Sequence, residues 1–197
     1  PSDLESICKS MIGSEVTDAT LKASLEKHCE QLLAPFERSG VANARVVRKV
    51  IWAIAKLTRG YVHSLSPVDV SQLYLLASAL MLDLDRDRTT EGKLRYLLTP
   101  GNVSRPRSLP ALGQDATQLA ANQRQEYDAY YDLFANRYYE GSLASIPRVA
   151  ALLDAMYGLE SSWEVVVQQY LEWSSYRWPD AVNQPASPAN RKASSSA

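Results

Sequence analysis

Apolar residues return along this chain at three- and four-residue intervals almost from its first position. Leu4, Ile7, Cys8, Met11 and Ile12 share one helical face. A second stripe, Leu21, Leu25, Cys29, Leu32, Leu33 and Phe36, opens at Thr17 or Asp18. It is checked at Pro35, which lacks the amide a helix interior needs. After Ser39 and Gly40, Asn43 is placed to cap a third helix burying Val46, Val47, Val50, Ile54, Leu57 and Tyr61. The fourth start is the clearest: Ser66 as cap, Pro67 in the first turn, and Asp69 at the positive end of the dipole. Its body, Val70 to Leu82, is apolar nearly all round, as a helix in the middle of a bundle must be.

Pro100, Gly101, Pro106, Pro110 and Gly113 then interrupt the period and mark 99–113 as a linker. Beyond it, Leu119, Gln123, Tyr127, Tyr130, Phe134 and Tyr138 trace a long amphipathic helix. A shorter one runs from Ser145 to Met156, and another presents Trp163, Val166, Val167, Tyr170 and Leu171. From 183 to 197 no apolar period remains, so that tail is expected to be disordered. Strand alternation is nearly absent. The expectation is an all-α, irregular helical bundle of about seven helices, with two sub-bundles as one arrangement. Those would be a four-helix unit at 1–98 and an aromatic-rich three-helix unit at 114–178.

Composition agrees with an ordinary globular chain: 46% of the 197 residues are hydrophobic and 22% charged. The formal net charge of −1 argues against wholesale nucleic-acid or membrane-surface binding, though not against a local basic face. Two cysteines, Cys8 and Cys29, are too few to staple such a chain, so a reducing, cytoplasmic setting is expected, with no membrane partner. No run approaches the ~20 apolar residues of a bilayer span.

Catalytic and metal motifs are missing. There is no phosphate-cradling glycine loop and no paired zinc-ligand spacing. His28 and His63 are the two imidazoles; His28 beside Cys29 reads as a structural histidine, against a zinc site shared with Cys8. Asp83, Asp85 and Asp87 begin like a calcium loop. Arg88 and Leu94 then occupy the glycine and glutamate positions, which leaves a solvated helix end with Asp/Arg pairs. No catalytic residue, metal ligand or cofactor is assigned to the chain itself.

One polar face is patterned. Arg45, Arg48, Lys49, Lys56 and Arg59 fall within about 60° of Arg45 on a helical wheel, with Trp52 among them. Two readings stand. The face is solvated or matched by acids on another helix, or it binds an anion. In the second case the first-turn amides of Arg45 and Arg48 would help hold phosphate, and Trp52 would stack or meet a neighbouring domain.

The stretch Gly40 to Ile51, with Asn43, Arg45 and Arg48 in an Asn-x-Arg-x-x-Arg/Lys pattern, resembles a segment in the helical lid of large bacterial P-loop NTPases. The KAP and STAND kinds, several of them in anti-phage defence, are the families meant. The resemblance covers about residues 30–82. It implies a helical region downstream of an ATPase core, or a detached adaptor, with Arg45 as phosphate sensor and Arg48 beside it. The chain has no Walker A loop or acidic Walker B strand. ATP would therefore reach it only through an adjoining domain.

Tyr131, Tyr139, Trp173, Tyr176 and Trp178 fall off the main apolar stripes, so exposed aromatics suited to a protein interface are expected there. The leading expectation is a non-catalytic interaction or regulatory region of a bacterial P-loop ATPase assembly, with a protein partner or self-association. The alternative is a nucleic-acid-binding module using the Arg45–Arg59 face, helped by Arg95, Arg105 and Arg107. A helical enzyme with Asp, Glu or Tyr converging in the bundle core is the third.

Overall fold

The computed structural model describes residues 3–57, 65–86, 89–99, 114–156 and 162–182, with the side chains of 57, 114–120, 123–124 and 176–182 set aside. Among the described residues every regular element is helical: nine α-helices and one 3-10 turn. The helices are α1 (Asp3–Glu15), α2 (Ala19–Lys27), α3 (Cys29–Arg38), α4 (Ala44–Leu57), α5 (Pro67–Asp85), α6 (Glu91–Leu98), α7 (Gln114–Tyr138), α8 (Ala150–Met156) and α9 (Trp163–Val182). The 3-10 turn, Leu143–Ser145, stands where the sequence expected the start of the helix before Met156.

Local signals explain most of these starts and stops. Asp18 accepts the amides of Thr20 and Leu21 at 2.9 Å, opening α2. Asn43 takes those of Arg45 and Val46 at 3.1 and 3.4 Å, opening α4. At α5, Ser66 Oγ accepts from the Asp69 amide at 3.3 Å and donates to the Asp69 carboxylate at 2.5 Å. α7 ends in a reversal with Glu140 at φ 54° and Gly141 at φ 80°, where the Gly141 amide reaches back to the Ala135 carbonyl at 3.0 Å. Arg38 secures that end by donating to the Tyr138 carbonyl and to Glu140.

Two further features of the helical pattern differ from expectation. The stripe from Leu21 to Phe36 is divided at His28, whose φ of −106° and ψ of 21° bend the chain between α2 and α3. Pro35 ends nothing. It lies buried inside α3, and the stripe stays inward on both sides of the bend. The second difference is α6, eight residues long and capped by Thr90, which the periodicity of longer windows hides. Leu94, Leu97 and Leu98 are its inward face.

The apolar helix α5 occupies the centre. Its length and composition alone would suit a membrane span, yet ten of its residues are buried in the bundle. α3 and α4 lie along it, α1 covers α3 and α4, and α8 reaches both α4 and α5. α7 rests on α3 and α6, and α9 on α8. The stretches 1–98 and 114–178 thereby contribute to one hydrophobic core. The greater part of the linker, Arg59, His63, Arg105, Arg107 and the 183–197 tail lie outside the described residues.

The aromatic expectations are corrected here. Tyr131 is 3% exposed and Tyr139 7%, so neither is an interface residue on the surface. Tyr96 of α6 stacks on Tyr131 with ring centroids 5.4 Å apart. Tyr139 stacks on Phe134 at 6.1 Å, just before the reversal at Glu140. α7 is covered on more than one side, which a single-stripe reading of its sequence does not anticipate. Trp173 is half-buried against Tyr170, their rings 5.4 Å apart. The side chains of Tyr176 and Trp178 lie outside the described residues.

Candidate functional site

The outer face of α4 is the place where the predicted site residues meet the structure. Val46, Val47, Val50, Ile51 and Ile54 turn inward. Arg45, Arg48, Lys49, Trp52 and Lys56 consequently turn out, since a helix that buries one face must present the other. Trp52 is 63% exposed, which is unusual for the largest apolar side chain.

Two carboxylates from other helices organise this face. Glu15, at the end of α1, accepts from Arg48 Nε through one oxygen and from Trp52 Nε1 through the other, each at 2.8 Å. The indole and the guanidinium are thus held side by side. Asp85, at the end of α5, accepts from Lys49 Nζ at 2.7 Å and from Asn43 Nδ2 at 3.5 Å. Asp85 therefore steadies the residue that caps α4.

The matched-acid reading accounts for Arg48 and Lys49 in part. Arg45 and Lys56 have no ion pair among the described residues, and the N–H groups of Arg48 other than Nε make no bond there. The four described cations outnumber the two carboxylates by two. The expected help from backbone amides is reduced, because the Asn43 side chain already occupies those of Arg45 and Val46. Any anion held here would be held by side chains.

Arg95 belongs elsewhere. It sits on α6 between Glu91 at 2.7 Å and Asp154 at 2.8 Å, and so braces α6 against α8 rather than extending the basic face.

A second charged cluster differs from the sequence expectation. Asp83 is fully buried, not solvated. It accepts from Tyr130 Oη at 3.0 Å, Tyr138 Oη at 2.7 Å and Arg137 NH1 at 2.7 Å. Burial, and then the Asp83 charge, push both phenols well above the ordinary tyrosine range. They stay protonated and act as donors. The cluster joins α5 to α7, and its donors are 47 to 55 residues away in sequence.

The two cysteines also come together. Both are buried and free, and the mutual influence of the neighbouring thiols pushes Cys8 up and Cys29 down. Among the described residues no three His, Cys, Asp or Glu side chains converge as a metal set. His28 is buried beside Tyr74, ring centroids 6.0 Å apart, above a shallow groove of about 650 Å³ between α2 and the start of α5.

Compared with family models, with curated proteins and with solved structures, the chain finds no match. Fold and site together define an all-α helical bundle that carries an organised cationic face around an exposed tryptophan.

Proposed function

We propose that this chain is a non-catalytic helical interaction or regulatory module whose α4 face receives a phosphate-bearing partner. The observation that carries the reading is the trio on that face. Arg45 and Lys56 lack counter-ions among the described residues, and the exposed Trp52 between them is held in place by Glu15. Unpaired cations around a positioned indole suit a phosphate joined to a flat, stacking group. By the resemblance of residues 30–82, the phosphate belongs to the nucleotide of a bacterial P-loop ATPase, bound chiefly by another domain. Arg45 is then the sensing residue.

The test is nucleotide binding followed through Trp52 fluorescence, with Trp52→Phe assigning the signal. Arg45→Ala should weaken binding about ten- to hundred-fold, the loss of a charge-assisted contact of about 1.5–3 kcal/mol. Lys56→Ala, some three turns further along, should matter far less. Equal and undiminished binding by the two variants would end the phosphate-sensing reading.

Nucleic acid is the second reading, favoured by the same exposed indole among cations. It demands affinity for an oligonucleotide that falls steeply with salt, about 0.9 in log–log slope per phosphate neutralised on duplex DNA. Flat salt dependence removes it.

A further inference from the structure

Leu133, on the outer side of α7, is 59% exposed, close to the 63% of Trp52 on α4. A lone leucine in water is ordinary; the neighbours of this one are not. Around the helix axis, Ala129 and Asn136 lie about 40° and 60° to one side of it. Asp132 and Asp128 follow on the same flank at about 100° and 140°, and Glu126 stands about 20° to the other side. All of these residues are exposed. Glu126 is held by Lys93 of α6 at 2.5 Å. Asp128 and Asp132 have neither ion pair nor hydrogen bond among the described residues.

The α4 face is the counterpart in charge. Two free acids beside an exposed leucine on α7 answer two free cations, Arg45 and Lys56, beside an exposed tryptophan on α4. The stretches Arg45 to Lys56 and Glu126 to Asn136 are each about 15–17 Å long at 1.5 Å per residue. Ala129 ends at its Cβ and leaves room beside Leu133 for an indole. In the single chain both faces are open to solvent, so neither covers the other. The rival acidic face is on α9, where Val165 and Leu171 are exposed near Glu164 and Glu172. There Glu172 already accepts from Gln168 Nε2 at 3.1 Å, and Glu164 is engaged as well.

We propose that the α4 face of one copy of this chain docks on the outer face of α7 of a second copy. Trp52 is seated against Leu133 and Ala129, and Arg45 and Lys56 meet Asp128 and Asp132. Matched potentials select the partner and its register, while the desolvated indole supplies the anchor. The contact joins two different surfaces, so it is heterologous. A formal net charge of −1 sets little overall repulsion against it. Two single helix faces are small, which makes the pair a weak, reversible one. The contact needs no phosphate and stands apart from the nucleotide reading, although a ligand stacked on Trp52 would compete with it.

Sedimentation equilibrium of the full chain, without nucleotide, tests this from about 10 μM to about 1 mM, the range of a weak interface. At low salt the average mass should rise above that of one chain as concentration increases, and high salt should reverse the rise. Two double variants then separate the faces: Arg45→Glu with Lys56→Glu, and Asp128→Lys with Asp132→Lys. All four positions are exposed, so melting temperatures should hold. Each variant alone should self-associate at least tenfold more weakly. An equal mixture should associate again, because the unaltered α7 of the first meets the unaltered α4 of the second. Leu133→Ser should weaken the contact at least tenfold, and Glu172→Lys on α9 should leave it unchanged. A single-chain mass at every concentration, no recovery on mixing, or loss through Glu172→Lys but not through the α7 pair would each overturn the proposal.

Discussion

The Asp83 cluster and the α4 face are built from the same parts: a carboxylate, an arginine and an aromatic side chain with a donor. Asp83 lies at 0% exposure with three donors upon it. Glu15 is about one-fifth exposed and holds two donors that are themselves more than half exposed. Water decides the difference. Inside the bundle a carboxylate must be fully paired or it costs several kcal/mol, so every partner of Asp83 is committed to the fold. On α4 solvent screens each pair to about 1 kcal/mol or less, and the partners remain free to exchange for a ligand. The first region is a fastener between α5 and α7; the second is available.

The largest effect should come from the fastener. Asp83→Ala strands Arg137 and two phenols without an acceptor and should cost about 3–5 kcal/mol of stability in urea unfolding. A loss under about 1 kcal/mol would place Asp83 with the surface pairs and dissolve the contrast. Next comes Arg45→Ala, which should lower nucleotide affinity about ten- to hundred-fold while stability stays within about 0.5 kcal/mol. Destabilisation there would mean that Arg45 is a packing residue.

His28 sharpens the comparison through pH. Burial first, and then the Lys27 charge, hold its pKa below the ordinary 6.5. The native state therefore binds fewer protons than the unfolded chain as pH falls through that value. Its contribution is complete above pH 6.5 and is lost as pH drops from there towards the folded pKa. The wild type should melt lower at pH 5.5 than at 7.5, and His28→Gln should show a smaller drop. Identical drops would assign the pH effect to other groups. The smallest effect belongs to the surface: Glu15→Ala should cost under about 1 kcal/mol, yet lower the fluorescence anisotropy of Trp52 by releasing the indole. Unchanged anisotropy would show that Glu15 does not position it.

Much of the helical frame is legible in the chain because its signals are local. Asn43 and Ser66 cap the helices they were expected to open, and Asp18, one of the two residues expected to open the second stripe, caps α2; each acts on amides two or three residues ahead. α6 was legible too, in Thr90 and the three- and four-residue spacing of Leu94, Leu97 and Leu98, but eight residues give a short signal. Its packing has a direct consequence. Without α6 there is no Tyr96 to cover Tyr131, and that side chain reads as exposed. The cationic face of α4 follows from angular spacing alone, whereas Glu15 and Asp85 arrive from other helices and no spacing announces them.

By itself, then, the sequence determined the all-helical class and most of the helical segments, which face of α4 turns inward, and that a group of cations must lie on the other side. These depend on contacts within a few residues, where period and capping act. Only the tertiary structure decided which charges are spent and which are free. Asp83 is a fastener because Tyr130, Arg137 and Tyr138 meet it from a distant helix. Lys49 is tied and Arg45 is not because α5 ends beside one and not the other. A charge takes its meaning from the dielectric and the partners around it, and both are assembled by packing between helices far apart in the chain.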